Sequence, residues 1–257
     1  MLIVCNGMIR AGSTLQYNIV RSLVEKMGLG RGEGFFEINH VLDSQDKFDQ
    51  WESDNLFHVI KTHDVHPKTI EKVLAGLMKV CYIYRDIRDV AASLKHKMGI
   101  ENEELFGLLD RAISIYYEIK NIPDVLFQRY EDVIFNLHKA VMELATFFNL
   151  VPERDIIESV VIECSINRAQ KITQNLKSKT NISNLNGKSL KEINNILSQF
   201  YDKKTLLHPN HISKNLGIPG SWQVDLSKYE KKQIMQRYAR WLSELGYTDP
   251  EWSYWTP

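Results

Sequence analysis

The stretch Gly7-Met8-Ile9-Arg10-Ala11-Gly12-Ser13-Thr14 constrains this chain more than any other. It follows a short apolar run, Leu2-Ile3-Val4-Cys5. It leads into a segment whose apolar residues, Leu15, Ile19, Val20, Leu23 and Val24, are spaced as one face of a helix. A strand, a glycine loop and a helix N-terminus in that order make an anion site, because backbone N–H groups point at the ligand and the helix dipole favours negative charge. Gly7 and Gly12 keep the spacing of a Walker A loop, but Ser13 stands where that motif carries its lysine. Such a loop can cradle a phosphate, with Arg10 supplying charge, yet it is poorly equipped to transfer the γ-phosphate of ATP or GTP.

Two later stretches end in the same kind of chemistry. Val59-Ile60-Lys61-Thr62-His63 and Val80-Cys81-Tyr82-Ile83-Tyr84-Arg85 are β-rich runs closing on basic residues, and the second continues to Ser93. In a parallel sheet, ligands bind beyond the carboxyl ends of the strands. Three strands therefore deliver Arg10 with Ser13 and Thr14, Lys61 with His63, and Arg85 with Ser93 to one edge, which predicts a ligand carrying several anionic groups.

The remaining pattern alternates strand and helix. Residues 56–60 and 125–129 read as strands. Pro67 onward, Asp89 to Lys97, the face of Leu105, Leu108, Leu109, Ala112, Tyr116 and Ile119, and the face of Leu137, Val141, Leu144 and Phe148 read as helices. Ser227 and Glu230 form a capping box for a helix through Ile234, Tyr238, Trp241 and Leu245 that Gly246 ends. This order predicts an α/β fold: a central, mostly parallel sheet flanked by helices. No linker divides the chain, so residues 1–257 are expected to form one domain. Between 165 and 204 Asn, Lys, Ser and Gln dominate, as in a solvated insertion or a mobile lid over an acceptor site.

The formal net charge is zero, which argues against nucleic-acid binding through a global positive field. No apolar run approaches the roughly 20 residues of a membrane span, and the opening run is too short for the core of a signal peptide. The three scattered cysteines, Cys5, Cys81 and Cys164, fit reduced core positions of a cytoplasmic protein better than a disulfide or zinc framework.

In these motifs and in their order the sequence resembles the sulfotransferases that use 3′-phosphoadenosine 5′-phosphosulfate (PAPS). Arg10-Ala11-Gly12-Ser13-Thr14 is similar to the family's phosphosulfate loop, Arg85 through Ser93 to its 3′-phosphate segment, and Lys61-Thr62-His63 to the strand end carrying its base. Phe127-Gln128-Arg129-Tyr130-Glu131-Asp132 and the stretch from His211 through Gly217 to Trp222 resemble two further family segments. The resemblance implies a P-loop-like sulfotransferase fold and sulfuryl transfer from PAPS, leaving adenosine 3′,5′-bisphosphate, to a hydroxyl or amine of a small molecule or carbohydrate. It implies His63, Lys61 and Arg10 as catalytic, and Arg10, Ala11, Gly12, Ser13, Thr14, Arg85, Ser93, Lys214, Gly217 and Trp222 as nucleotide-binding, with no metal.

The chain departs from the family at Leu15, where an aromatic is common, and at Lys214-Asn215-Leu216-Gly217, where many members have Arg-Lys-Gly. Competing readings are a nucleotide kinase and a non-catalytic nucleotide-binding module on the same fold. For single residues, His66 and Asp64 compete with His63 as base, Arg88 and Asp89 read as a surface pair, Glu131 and Asp132 as braces of the next helix, and Trp252 and Trp255 as packing residues.

Overall fold

The computed structural model of the chain describes residues 1–38, 45–100, 102–180 and 187–247; Trp252 and Trp255 lie outside them. The apolar runs become five parallel strands: β1 (Leu2–Gly7), β2 (Gly30–Phe35), β3 (Phe57–Thr62), β4 (Met78–Tyr84) and β5 (Val125–Arg129), in the order β2-β3-β1-β4-β5. The order reverses direction at β1, which has β3 on one side and β4 on the other. The glycine loop leaves β1 at this switch point, where neighbouring connections diverge and open a crevice.

The helices are α1 (Ser13–Lys26), α2 (Gln45–Ser53), α3 (Thr69–Leu74), α4 (Ile87–Met98), α5 (Asn102–Lys120), α6 (Tyr130–Phe135), α7 (Leu137–Phe147), α8 (Arg154–Glu163), α9 (Ile166–Lys179), α10 (Leu190–Ser198), α11 (Trp222–Asp225), α12 (Lys228–Arg237) and α13 (Ala239–Glu244). Strand alternation sorts the core in two. Leu2, Val4, Ile60, Val80 and Tyr82 pack against α4, α5, α12 and α13, while Ile3, Cys5, Val59, Cys81 and Ile83 pack against α1, α7 and α8. Both faces are covered, which is why β1 and β4 read as near-continuous apolar runs.

Three elements differ from the sequence expectation. β2, Gly-Arg-Gly-Glu-Gly-Phe, has no apolar alternation and no strand signal. Its glycines serve close approach: a Cβ on Gly30 would sit 2.2 Å from the Phe57 carbonyl, and one on Gly32 2.5 Å from the Tyr17 hydroxyl. The polar stretch 165–204 contains α9 and α10, each opened by a serine N-cap, Ser165 and Ser189, the latter in a capping box with Glu192. The helix expected to run from Ser227 to Leu245 is interrupted at Tyr238 (φ −111°, ψ 22°), whose hydroxyl donates to Asp110 at 2.9 Å.

Arg88 and Asp89 form no surface pair; both are buried. Asp86 grips the Arg88 guanidinium at 2.7–3.1 Å, and Arg88 lies 4.1 Å over the Trp222 ring. Asp89 pairs with Arg85 at 3.3 Å and accepts from Gly220 N (2.8 Å), Ser221 Oγ (3.2 Å) and Trp222 N (3.0 Å), so this one carboxylate fastens the late loop to α4. Asp89→Ala strands all four donors in a buried site. The expected loss is about 3–5 kcal/mol of unfolding free energy, read from the denaturant midpoint. A loss below about 1 kcal/mol, the scale of an exposed pair, would show that water already shares these bonds.

Candidate active site

The loop after β1 is shaped for a ligand. Arg10 and Gly12 both have left-handed backbone (φ 62° and 88°), and a Cβ at Gly12 would lie 2.7 Å from the Tyr130 ring. Only glycine holds that conformation that close to an aromatic. Helix α1 starts without a capping side chain and without an acidic residue in its first turn, so its leading N–H groups and positive dipole end are left for another acceptor.

Around this loop the three strand ends converge. Arg10, Gly12, Ser13, Thr14, Lys61, His63, Arg85, Ser93 and Gly217 border one cavity of about 1070 Å³. Ala11 is fully buried behind the loop. Lys214 and Trp222 do not border the cavity: Lys214 is exposed, and Trp222 packs into the core beneath Arg88.

The polar geometry fixes protons. His63 Nδ1 lies 2.8 Å from the Gly7 carbonyl, which can only accept, so Nδ1 carries the hydrogen and Nε2 the lone pair. Nε2 in turn lies 3.1 Å from Lys61 Nζ. Burial, reinforced by Lys61, pushes the His63 imidazolium down to about 4, leaving the ring neutral at neutral pH. Burial, reinforced by Arg10, lowers Lys61 to about 8. The alternatives to His63 have other partners: His66 Nδ1 accepts from Lys68 N at 3.0 Å, and Asp64 pairs with Arg111 at 2.6 Å.

Arg10 donates from Nε to Ser93 Oγ (3.0 Å) and from its terminal nitrogen to the His211 carbonyl (3.4 Å); burial, then Arg85, lowers it to about 10. Arg85 lies 4.4 Å over the Tyr130 ring and donates to the Arg10 carbonyl at 3.3 Å, while its Nε is buried with no partner. Repelling cations gathered in a low-dielectric cavity, one with an orphaned donor, fit a polyanion. The carboxylates bordering the cavity cannot neutralise them, since Glu33 is engaged by Arg31 and His58, and Glu163 by Arg21 and Lys26.

Sequence reasoning missed two groups here. Tyr130 is the hub of the loop between β1 and α1, with its hydroxyl 2.8 Å from the Gly217 carbonyl, its ring under Arg85 and its edge against Gly12. Lys97 and His208, which meet at 3.0 Å, border the cavity as well, and His211 joins them as a side chain. Lys97 lies one turn beyond Ser93 on α4, a spacing that could have flagged it; nothing local marks the histidines.

Residues 13–214 match a family model described as Sulfotransferase domain. The fold is similar to that of a mouse sulfotransferase, SULT7A1, complexed with PAP, at a TM-score of 0.59 and 15% identity over 94% of this chain and 83% of that one. It is also similar to retinol dehydratase in a complex with retinol and PAP, at 0.59 and 15% over 94% and 81%. A second retinol dehydratase structure, with androsterone and inactive cofactor PAP, gives 0.55 and 14% over 94% and 80%. At such identities the likeness is one of fold. No curated protein sequence matches the chain. Among the described residues no helix is long and apolar enough to cross a membrane, and no group of three or more His, Cys, Asp or Glu side chains could hold a metal ion.

Proposed function

Because the chain belongs to the sulfotransferase domain family, we propose that it transfers a sulfuryl group from PAPS to a hydroxyl or amine of a small-molecule or carbohydrate acceptor, with His63 as general base. The observation that carries this reading is the meeting of Arg10, Lys61, Arg85 and His63 around one cavity at the switch point of the sheet.

When bound, PAPS supplies a sulfuryl group activated by its phosphate leaving group. The N–H groups opening α1, with Ser13 and Thr14, bind the 5′-phosphosulfate, and Arg10 and Lys61 offset the charge that develops on the leaving oxygen. Arg85 and Ser93 hold the 3′-phosphate; the free Nε of Arg85 supports this role, since a guanidinium fork suits phosphate. His63 takes the acceptor proton on Nε2, the nitrogen left basic by the Gly7 carbonyl. Lys61 holds that nitrogen in the structure, so its turn towards the anionic donor frees the lone pair. Gly7 thereby orients the base without touching substrate.

The test is a thermal-shift comparison of adenosine 3′,5′-bisphosphate with ATP plus magnesium and with AMP. A ligand at 100 times its Kd stabilises by about 2.7 kcal/mol. The bisphosphate is expected to raise Tm by several degrees and well above the other two. A larger shift with ATP and magnesium replaces this reading with a phosphotransferase.

A further inference from the structure

Lys97 and His208 are not used by the nucleotide reading, yet they are built as a site. Asn210 Nδ2 donates to Asn194 Oδ1 at 2.9 Å, which sets the amide so that Asn210 Oδ1 faces His208 Nδ1 at 2.8 Å. Nδ1 therefore carries the hydrogen, and Nε2 presents a lone pair to Lys97 Nζ at 3.0 Å. The His211 ring lies edge-on to His208 with centroids 4.5 Å apart, and its Nδ1 is buried without a partner. Among the described residues Lys97 has no ion-pair partner. Burial, then Arg10 and Lys61, pushes it down to about 6.

A lysine pinned in a cavity by a neutral imidazole, with no counter-charge, is unfavourable until an anion arrives. Lys97 borders the same cavity as Lys61 and His63, the residues assigned to the transfer step. The same cavity is walled by apolar side chains, among them Met98, Ile166, Ile172, Leu206 and Leu207. An apolar wall that also presents Lys97, a lysine the nucleotide reading does not use, suits an apolar body with a single negative group.

We propose that Lys97, oriented by His208, binds a carboxylate of the sulfuryl acceptor, so that the enzyme acts on hydroxylated acids with an apolar body. This rests on the sulfuryl-transfer reading and names the acceptor class of that same site.

The test pairs acids with their neutral methyl esters: para-hydroxyphenylacetate and a hydroxylated bile acid, each against its ester. Both are measured on wild-type protein and Lys97→Met, by thermal shift at saturating bisphosphate and by label transferred from PAPS. Wild type is expected to favour each acid by on the order of tenfold or more in Kd and kcat/KM, and Lys97→Met to bring the ratio near one. His208→Gln, which can still face Lys97, is expected to retain part of the preference. The bisphosphate Kd, measured without acceptor, should be the same in wild type and Lys97→Met. The proposal is overturned by any of three results: no acid preference in wild type, including no binding of acid or ester at all; a preference that survives Lys97→Met; or a bisphosphate affinity that falls in Lys97→Met, which assigns the cluster to the nucleotide. Failure of wild type to bind bisphosphate is read separately, and sinks the nucleotide reading instead.

Discussion

His63→Ala is expected to lower kcat by on the order of a hundredfold to ten-thousandfold while leaving the bisphosphate Kd within about twofold of wild type. The split follows from where the ring sits. Its Nδ1 is committed to the Gly7 carbonyl at 2.8 Å and its Nε2 is the atom proposed to take the acceptor proton, so neither nitrogen is called on to hold the nucleotide. Removing the ring takes away the proton acceptor and leaves Arg10, Arg85 and the α1 N-terminus in place. Single-turnover label transfer, with Kd from calorimetry, separates the two effects. Unchanged turnover removes His63 from the chemistry, and a large loss of bisphosphate affinity makes it a binding residue instead.

The same proton placement fixes the pH profile of the wild type. His63, held down to about 4, is a competent base from mildly acidic pH upward, and protonation switches the rate off only as pH falls through that value. Lys61, held down to about 8, has its charge below that pH and loses it above. In kcat/KM for a neutral acceptor, which reports the free enzyme without calling on Lys97, the plateau is expected between about 4 and 8. An acidic limb at the ordinary histidine value of about 6.5 shows instead that the ring is solvated.

Arg85→Ala is expected to weaken bisphosphate binding by about 2–5 kcal/mol, on the order of thirtyfold to several thousandfold in Kd. The guanidinium is buried, lies on the Tyr130 ring and keeps one nitrogen free. A phosphate that loses it therefore loses a desolvated, charge-assisted partner rather than a screened surface cation. Asp89 retains three other donors when Arg85 is gone, so the fold is expected to survive. Arg85→Lys, which keeps charge and loses the fork, should fall between wild type and alanine. Binding by Arg85→Ala within about twofold of wild type, in protein with wild-type circular dichroism, means that the 3′-phosphate is held elsewhere.

Much of the site was legible because its chemistry is local. Strand β1, the glycines of the loop and the first turn of α1 lie within a few residues of one another, and their conformational demands leave a direct sequence trace. Lys61, His63 and Arg85 follow apolar runs, and a parallel sheet gathers such strand ends at one edge whatever the loops between them do. Strand β2 left no trace because its glycines answer to atoms of Tyr17 and Phe57, and the helices of 165–204 were masked by a polar surface composition.

The sequence by itself determined the α/β order, the glycine loop between β1 and α1 and the set of cations at the strand ends, because those follow from periodicity and spacing along the backbone. Tertiary structure alone decided which side chains meet: Asp89 with the late loop 131 residues away, Lys97 with His208 111 residues away, and His63 with the carbonyl of Gly7, which sets its tautomer. Pairings of that kind, and the proton positions and charge states they impose, depend on burial and on distances across the fold, and neither is encoded in the neighbourhood of any one residue.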